Sequence, residues 1–514
     1  MTESGAISSP EGWVLILDIG SSSARAWFFD AAGATVDAGP DAHRPYVWRT
    51  EPAGAMECDA STLLDAVMGA LDGAVAHART AGMRIAAAGV AAFWHSVLGV
   101  GEDGKPCTSV YGWGDTRGSE EAIRLSGELD EPALHARTGC FLRPNYPTVR
   151  LSWLRGKDPA AFAAVARWIS FPELVDAELL GTMRVSYSVA SGSGFLNVHE
   201  LSWDDEAMGI AEIRADQLSP LVDTDAPARG VRAELATRWP ELRGVPWYPA
   251  IGDGAAANLG SGAFGKDRVG LTIGTSAAVR LLWEPDGPVR VPAELWCYRL
   301  DSRRWVSGAA LSNGGIAVAF LRGLLDLPSD RKWERTVEEM EPDSHGLTIL
   351  PFLLGERGPG WRREQRSAVL GATPATTPEE MMRGWMEAIA YRIARVEDEL
   401  HRSLGGEGEV IATGGALNAS PFWAQILADV MNRPIALAVA REATARGAAL
   451  VVFERIGWRA GLRDAEPEVT ARFAPDLSRH VRYRAGAVRQ QALIEALPDP
   501  ATLASPAPEP AIET

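Results

Sequence analysis

The chain has 514 residues, of which 46% are hydrophobic and 23% charged, and 67 acids against 50 bases give it a net charge of −17. This composition is ordinary for a globular protein of two to four domains, at roughly 150 residues per domain. The acid excess argues against phosphate-backbone binding, which needs a basic face, although a small anionic ligand needs only a local cluster of donors. The first stretch, MTESGAISSPEGW, has neither a basic n-region nor an apolar h-region, so no secretory signal is expected. Val14 to Ile19 reads as a buried strand, Gly20 to Ser23 as a turn and Ala24 to Phe29 as a second strand. Ile85 to Trp94 is the longest apolar run and is too short to span a bilayer. Gly244-Val245-Pro246 punctuates the chain near its middle. Thr377-Pro378-Glu379-Glu380 reads as a capping box with Pro at the first helical position. The helix behind it places Met382, Trp385, Ile389, Ile393, Val396 and Leu400 on one face and should stop at Gly405-Gly406. Val410 to Thr413 then reads as a short strand entering Gly414-Gly415. From Leu497 onward, five prolines and little that could pack suggest a disordered tail over 497–514. Short strands alternating with long helical patterns make the expected fold class α/β.

Cys58, Cys107, Cys140 and Cys297 lie far apart with no CxxC, which argues against a disulfide framework or a structural zinc site. Eight histidines with no HxxxH argue against a zinc protease. The expectation is a reduced, cytoplasmic enzyme with no nucleic-acid and no membrane partner.

An internal echo carries more information. Leu15 to Phe29 (LILDIGSSSARAWFF) resembles Gly270 to Trp283 (GLTIGTSAAVRLLW). Aligning Asp18 with Thr272 sets Gly20 on Gly274 and Ser21 on Thr275. Two such strand–turn–strand units, about half a chain apart, suggest two similar α/β domains meeting near residue 247. The plain alternative is that hairpins with Gly-Ser turns are common.

Some motifs fail their context. Gly260 to Gly265 matches GxGxxG but follows an Ala-rich segment and not a strand, so the dinucleotide reading is set aside. The same stretch nearly matches a Walker A loop, but Asp267 stands where a hydroxyl residue is needed. None of the four lysines sits in a VAIK-like strand, against a protein-kinase site. The turn Asp18-Ile-Gly-Ser-Ser-Ser-Ala-Arg25 is a better candidate, because a Gly followed by small hydroxyl residues lets N–H groups and side chains surround a phosphate. Asp18, at the end of a buried strand, could hold Mg2+ directly or through water. Gly274-Thr275-Ser276 offers the same groups without a carboxylate. Asp253, between Gly252 and Gly254, could accept a hydroxyl proton in phosphoryl transfer to an alcohol. Taken singly, each is also an ordinary turn.

In this order the segments resemble the FGGY family of carbohydrate kinases, over about Val14 to Phe453. Leu17 to Arg25 is similar to the family's first phosphate motif. Trp94-His95-Ser96 lies where the family often has Met-His-Gly, and Trp113-Gly-Asp115-Thr-Arg117 resembles its Trp-x-Asp-x-Arg segment. Ser188 to Ser191 through Trp203-Asp204 resembles the stretch closing the first domain. Gly252-Asp253-Gly254 is similar to the catalytic Asp motif and Gly274-Thr275-Ser276 to the second phosphate motif. Thr413-Gly414-Gly415-Ala416, with Pro421-Phe-Trp423 and Asp429, resembles the adenosine motif. The resemblance implies two ribonuclease-H-like domains of the actin and hexokinase type with the active site in a cleft. The first would span 1–247 on the sugar side and the second 248–496 on the ATP side.

The resemblance further implies ATP bound by Gly20, Ser21, Ser22, Ser23, Arg25, Gly274, Thr275, Ser276, Gly315, Gly414, Gly415, Ala416 and Asn418. A small sugar or sugar acid would meet Trp94, His95, Trp113, Asp115, Arg117 and Asp253. Asp253 would be the catalytic base, with Mg2+ near Asp18 and Asp253. Ser312-Asn313-Gly314-Gly315-Ile316 is similar to a gluconokinase run, and Leu354 to Trp361 resembles a Gly-Glu-Arg-x-Pro-x-Trp segment of gluconokinases and xylulokinases. Gluconate is thus the first substrate expected, its carboxylate meeting Arg117 or Arg143. A ketose or polyol substrate, and a non-catalytic nucleotide- and sugar-binding regulator, are the alternatives. A homodimer stays open. Trp94 for Met and Ser96 for Gly depart from the family pattern in the sugar pocket, and Ala319 and Ala419 toward adenine. Outside the resemblance, His95 and the tryptophans read as core, Asp115 and Arg117 as paired loop ions, and Glu356 and Arg357 as surface charges.

Overall fold

The structure, a computed structural model, describes residues 12–497 except 328–331, 363–364, 407, 440 and 464. All of the expected tail beyond Leu497 lies outside the described residues. The chain forms two compact units built from interleaved stretches. The first takes residues up to Phe264, then Leu282–Val306 and Arg441–Glu466; the second takes Gly265–Leu281, Ser307–Ala440 and Pro467 onward. Among the described residues, no helix is long and apolar enough to cross a membrane.

In the first unit, β1 (Trp13–Ile19) and β2 (Ser23–Phe29) pair antiparallel, as the apolar runs on either side of Gly20 predict. Val14 to Leu17 and Ile19 are fully buried, as expected of a strand covered on both faces. β3 (Ile85–Ala92) runs parallel to β1 on its other side, and β4 (Ile251–Gly252) runs parallel to β3. β3 is built almost wholly of Ala, Gly and Val, and the helix Ala443–Arg455 packs close against it. A Cβ at Gly89 would lie 2.6 Å from Val452 Cγ2. That helix also meets the helix Asp253–Gly260 backbone to backbone. A Cβ at Gly260 would lie 1.8 Å from the Ala443 carbonyl, and one at Gly447 1.8 Å from the Ala256 carbonyl. Gly260, which opens the GxGxxG lookalike, is therefore a packing residue.

In the second unit, β5 (Arg268–Ile273) and β6 (Ala277–Trp283) form the matching hairpin. β7 (Glu409–Thr413) lies parallel to β5, β8 (Ile435–Ala438) parallel to β7, and β9 (Val469–Phe473) antiparallel to β8. A hairpin beside a parallel strand thus recurs in both units, which accounts for the internal echo. The first hairpin closes at Ile19↔Ala24 and the second at Ile273↔Ala277, so the second turn is one residue shorter.

The helix Pro378–Leu404 begins at the expected capping box, with Glu380 N–H donating to Thr377 Oγ1 and Thr377 N–H donating to Glu380. It ends where Gly405 takes a left-handed conformation, φ 72°. Its expected apolar face is buried, but so are Arg383, Glu387 and Arg392 on other faces. Glu387 accepts from Arg383 Nε at 2.6 Å and from the Tyr391 hydroxyl at 3.2 Å, and lies 3.1 Å from His345 Nε2. Burying these charges is tolerable because they are paired within the unit.

Candidate active site

Strand register brings Asp18 and Asp253 to one edge. Asp18 lies beside Ala91 across the β1–β3 pair, and Ile251 lies beside Ala91 across the β3–β4 pair. The three strands are parallel, so β1 and β4 end on the same side. Asp253, the first residue of the helix after β4, is carried to the end of β1 where Asp18 sits. The carboxyl ends of parallel strands are where open α/β sheets place their ligands.

The β1–β2 register sets Arg25 directly opposite Asp18, and Arg25 Nη2 donates to Asp18 Oδ2 at 2.6 Å. Arg25 Nη1 donates to Glu442 Oε2 at 3.0 Å, while its Nε is buried with no hydrogen-bond partner among the described residues. Asp18 is 1% exposed, and burial pushes its carboxyl up to about 6. Arg25 opposes that rise, and the nearby charges of Asp253 and Glu442 add to it. Asp253 Oδ1 accepts the Gly254 N–H at 2.7 Å. The oxygen donors of Asp18 and Asp253 suit a hard divalent cation, whose charge would favour the ionised form that burial disfavours. Gly20 N–H donates to the Ser23 carbonyl at 3.0 Å, leaving Ser21 and Ser22 exposed and Ser23 buried. The turn is held from behind by the Tyr46 hydroxyl on the Gly20 carbonyl and by Trp48 Nε1 on the Ser21 carbonyl at 2.7 Å.

The residues expected on the sugar side also lie in the first unit. Trp94 is 7% exposed, in an aromatic cluster with Tyr298 and Trp296 at centroid distances of 5.2 and 6.1 Å. Its indole covers Gly252, where a Cβ would lie 1.9 Å from Trp94 Cε2. Trp94 Nε1 donates to the Ser188 carbonyl at 2.8 Å, and Ser188 Oγ accepts the Gly252 N–H at 3.0 Å. Trp94 and Ser188 together therefore fix the residue just before Asp253. His95 has a left-handed backbone, φ 67°, and its Nδ1 lies 2.6 Å from the Gly192 carbonyl. Asp115 is 1% exposed and is gripped by Arg117, whose Nη2 lies 2.6 Å from Asp115 Oδ2 and 2.7 Å from Glu57 Oε2. The guanidinium also lies over the Trp153 ring at 5.0 Å. Arg143 donates to Glu131 at 2.7 Å. Trp113, 36% exposed, is the most open of the expected sugar-side aromatics.

In the second unit, three loops meet at the ends of β5 and β7. Gly315 N–H donates to the Gly274 carbonyl at 2.8 Å and Ile316 N–H to the Thr275 carbonyl at 3.1 Å. Thr275 and Ser276 are exposed, as Ser21 and Ser22 are in the first unit. Gly414, at φ 110°, lies so close to β5 that a Cβ would sit 2.2 Å from the Ile273 carbonyl. A Cβ at Gly315 would lie 3.0 Å from Ala416 Cβ. Asn418 N–H donates to the Gly414 carbonyl at 3.2 Å. The Gly274, Gly315 and Gly414–Asn418 segments, far apart in sequence, thus form one backbone-lined surface. Asn313 joins the two gluconokinase-like runs, donating from Nδ2 to the Gly355 carbonyl at 2.9 Å and accepting the Leu354 N–H at 3.2 Å. Glu356 is buried against Arg392, Nε to Oε1 at 2.7 Å, and is no surface charge.

Sequence reasoning missed Glu442, Glu57, Tyr46 and Trp48. None carries a local motif. Glu442 lies 417 residues from the arginine it holds, a separation no spacing rule bridges.

The N-terminal domain of the FGGY family of carbohydrate kinases matches residues 13–260, and the C-terminal domain of that family matches residues 270–453. A gluconokinase of Bacillus licheniformis is 29% identical over 369 residues, 70% of this chain and 72% of its own length. Two solved structures from Lactobacillus acidophilus, a ligand-bound xylulose kinase and a gluconate kinase, superpose with a TM-score of 0.88 each, at 22% and 23% identity. Both cover 96% of this chain, and 100% and 99% of their own. At that identity they establish the two-domain, actin- and hexokinase-like α/β fold. With both domains matched in order over most of its length, the chain belongs to the FGGY family of carbohydrate kinases.

Proposed function

We propose that this chain transfers the γ-phosphate of ATP to a hydroxyl of a small sugar or sugar acid, with gluconate the first substrate to test. The observation that carries the reading is the meeting of Asp18 and Asp253 at the carboxyl ends of β1 and β4, on either side of β3. A kinase of alcohols needs a carboxylate to accept the hydroxyl proton and groups to neutralise charge on the phosphates. Asp253 takes the proton on its carboxylate. Arg25 and the N–H and hydroxyl groups of the Gly20–Ser23 turn bind phosphate oxygens. Gly274 to Ser276, Gly315 and Gly414 to Asn418 hold the nucleotide. Asp18 and Asp253 would hold Mg2+, which supplies charge neutralisation at the phosphates. Trp94 and Ser188 keep Gly252 and hence Asp253 in place. Trp113 and the Asp115–Arg117 pair face the sugar.

Gluconate is favoured by the gluconokinase relatives and by the Asn313 bridge between the two gluconokinase-like runs. A ketose is favoured by the xylulose kinase fold neighbour. Arg117 and Arg143 already hold acidic partners, so a sugar carboxylate must share or displace these. The test is sugar-dependent ADP release from Mg-ATP across aldonates, ketoses and polyols. Strong stimulation by gluconate alone supports the full reading. Stimulation by another sugar keeps the mechanism and replaces the substrate. No stimulation with nucleotide still bound favours the non-catalytic regulator.

A further inference from the structure

Glu442 has features that an ordinary helix start lacks. It is the N-cap of the helix Ala443–Arg455, yet its backbone is left-handed, φ 47° and ψ 44°, a region that costs a non-glycine residue free energy. Asp, Asn, Ser or Thr at an N-cap commonly accepts an N–H of its own helix. Glu442 makes no such side-chain cap. Its carboxylate instead reaches Arg25 Nη1 at 3.0 Å, with the two side chains 26% and 31% exposed. A left-handed backbone at a non-glycine residue that grips the phosphate-motif arginine suggests a constraint set by the site rather than by the helix.

We propose that Glu442 is the positioning residue for Arg25. Arg25 has two carboxylate anchors, Asp18 on Nη2 and Glu442 on Nη1. Asp18 is also the residue expected to serve the cation, and a carboxylate that turns to a cation weakens its hold on an arginine. Glu442, bound to Nη1, keeps the guanidinium in place beside the phosphate turn when Asp18 turns to the cation. This role rests on the proposed nucleotide-binding reading of the Asp18–Arg25 turn.

The test is a double-mutant cycle with Glu442→Gln and Arg25→Met, read as the Mg-ATP dissociation constant by calorimetry without sugar. Turnover and sugar KM are measured alongside. In the wild-type background Glu442→Gln should weaken Mg-ATP by about tenfold, a size within the coupling seen for contacting charged groups, and leave sugar KM within about twofold. In the Arg25→Met background the same change should have an effect of less than about twofold, because the group it positions is gone. An unchanged affinity for Glu442→Gln, or an equal loss in both backgrounds, overturns the proposal. Glu442→Asn, which tolerates the left-handed backbone, replaces Gln if that variant folds poorly, and the same outcomes apply. Wild type that binds Mg-ATP but shows no sugar-stimulated ADP release defeats the kinase reading while the cycle still judges Glu442. Wild type that binds no Mg-ATP overturns both.

Discussion

Asp18→Asn should make the protein more stable and less active at once. The carboxyl is buried among Asp253 and Glu442, and its rise from the ordinary 3.8 to about 6 corresponds to about 3 kcal/mol in favour of the neutral form in the folded chain. Between those pH values the folded state holds a proton that the unfolded state has lost, so stability falls as pH climbs from 3.8 to about 6. Above that the penalty is constant. An amide matches the neutral carboxyl in shape and still accepts from Arg25, so the variant escapes the penalty. It should therefore exceed wild type by up to about 3 kcal/mol at pH 8, with the gap closing toward pH 4. The assay is paired urea unfolding of both proteins at several pH values, in chelator and without nucleotide, beside turnover at pH 8. A variant no more stable than wild type at pH 8, or a gap that does not change with pH, refutes the electrostatic account. A variant with normal turnover removes Asp18 from the site.

Other outcomes follow from single contacts. Asp253→Asn should still bind nucleotide and lose about 100- to 10,000-fold in turnover, the range for a general base; near-normal turnover in a sugar-dependent assay would end that assignment. Gly447→Val drives a Cβ to 1.8 Å from the Ala256 carbonyl and should cost about 3 kcal/mol or prevent folding, whereas wild-type-like melting would mean that the two helices can part cheaply. Thr377→Ala removes the hydroxyl that accepts the Glu380 N–H and should cost about 1 kcal/mol in denaturant unfolding without changing turnover, and no measurable loss would place that helix start outside the cooperative unit.

Local chemistry was readable without a fold. The β1 and β2 strands, the capping box at Thr377, the stop at Gly405 and the β7 strand all follow from apolar period and capping residues, which act over a few positions. The echo between Leu15–Phe29 and Gly270–Trp283 was visible for the same reason, because each copy is a contiguous hairpin. The shorter second turn was not visible, since only strand pairing sets where a hairpin closes.

Reading residues one by one failed where burial and partners decide the role. Glu356 has the composition of a surface charge, yet it is buried against Arg392, because the helix Pro378–Leu404 carries buried charges on faces that its apolar stripe does not reveal. Gly260 has the spacing of a phosphate loop but serves helix contact with Ala443. By itself the sequence determined the hairpins, the long capped helix and, through ordered motifs, the family. Only the tertiary structure decided that Asp18 and Asp253 share an edge, that Trp94 and Ser188 hold Gly252, and that Glu442 returns to Arg25. Those contacts depend on parallel strand register and on the chain re-entering the first unit at residue 441, and no local pattern of side chains encodes either.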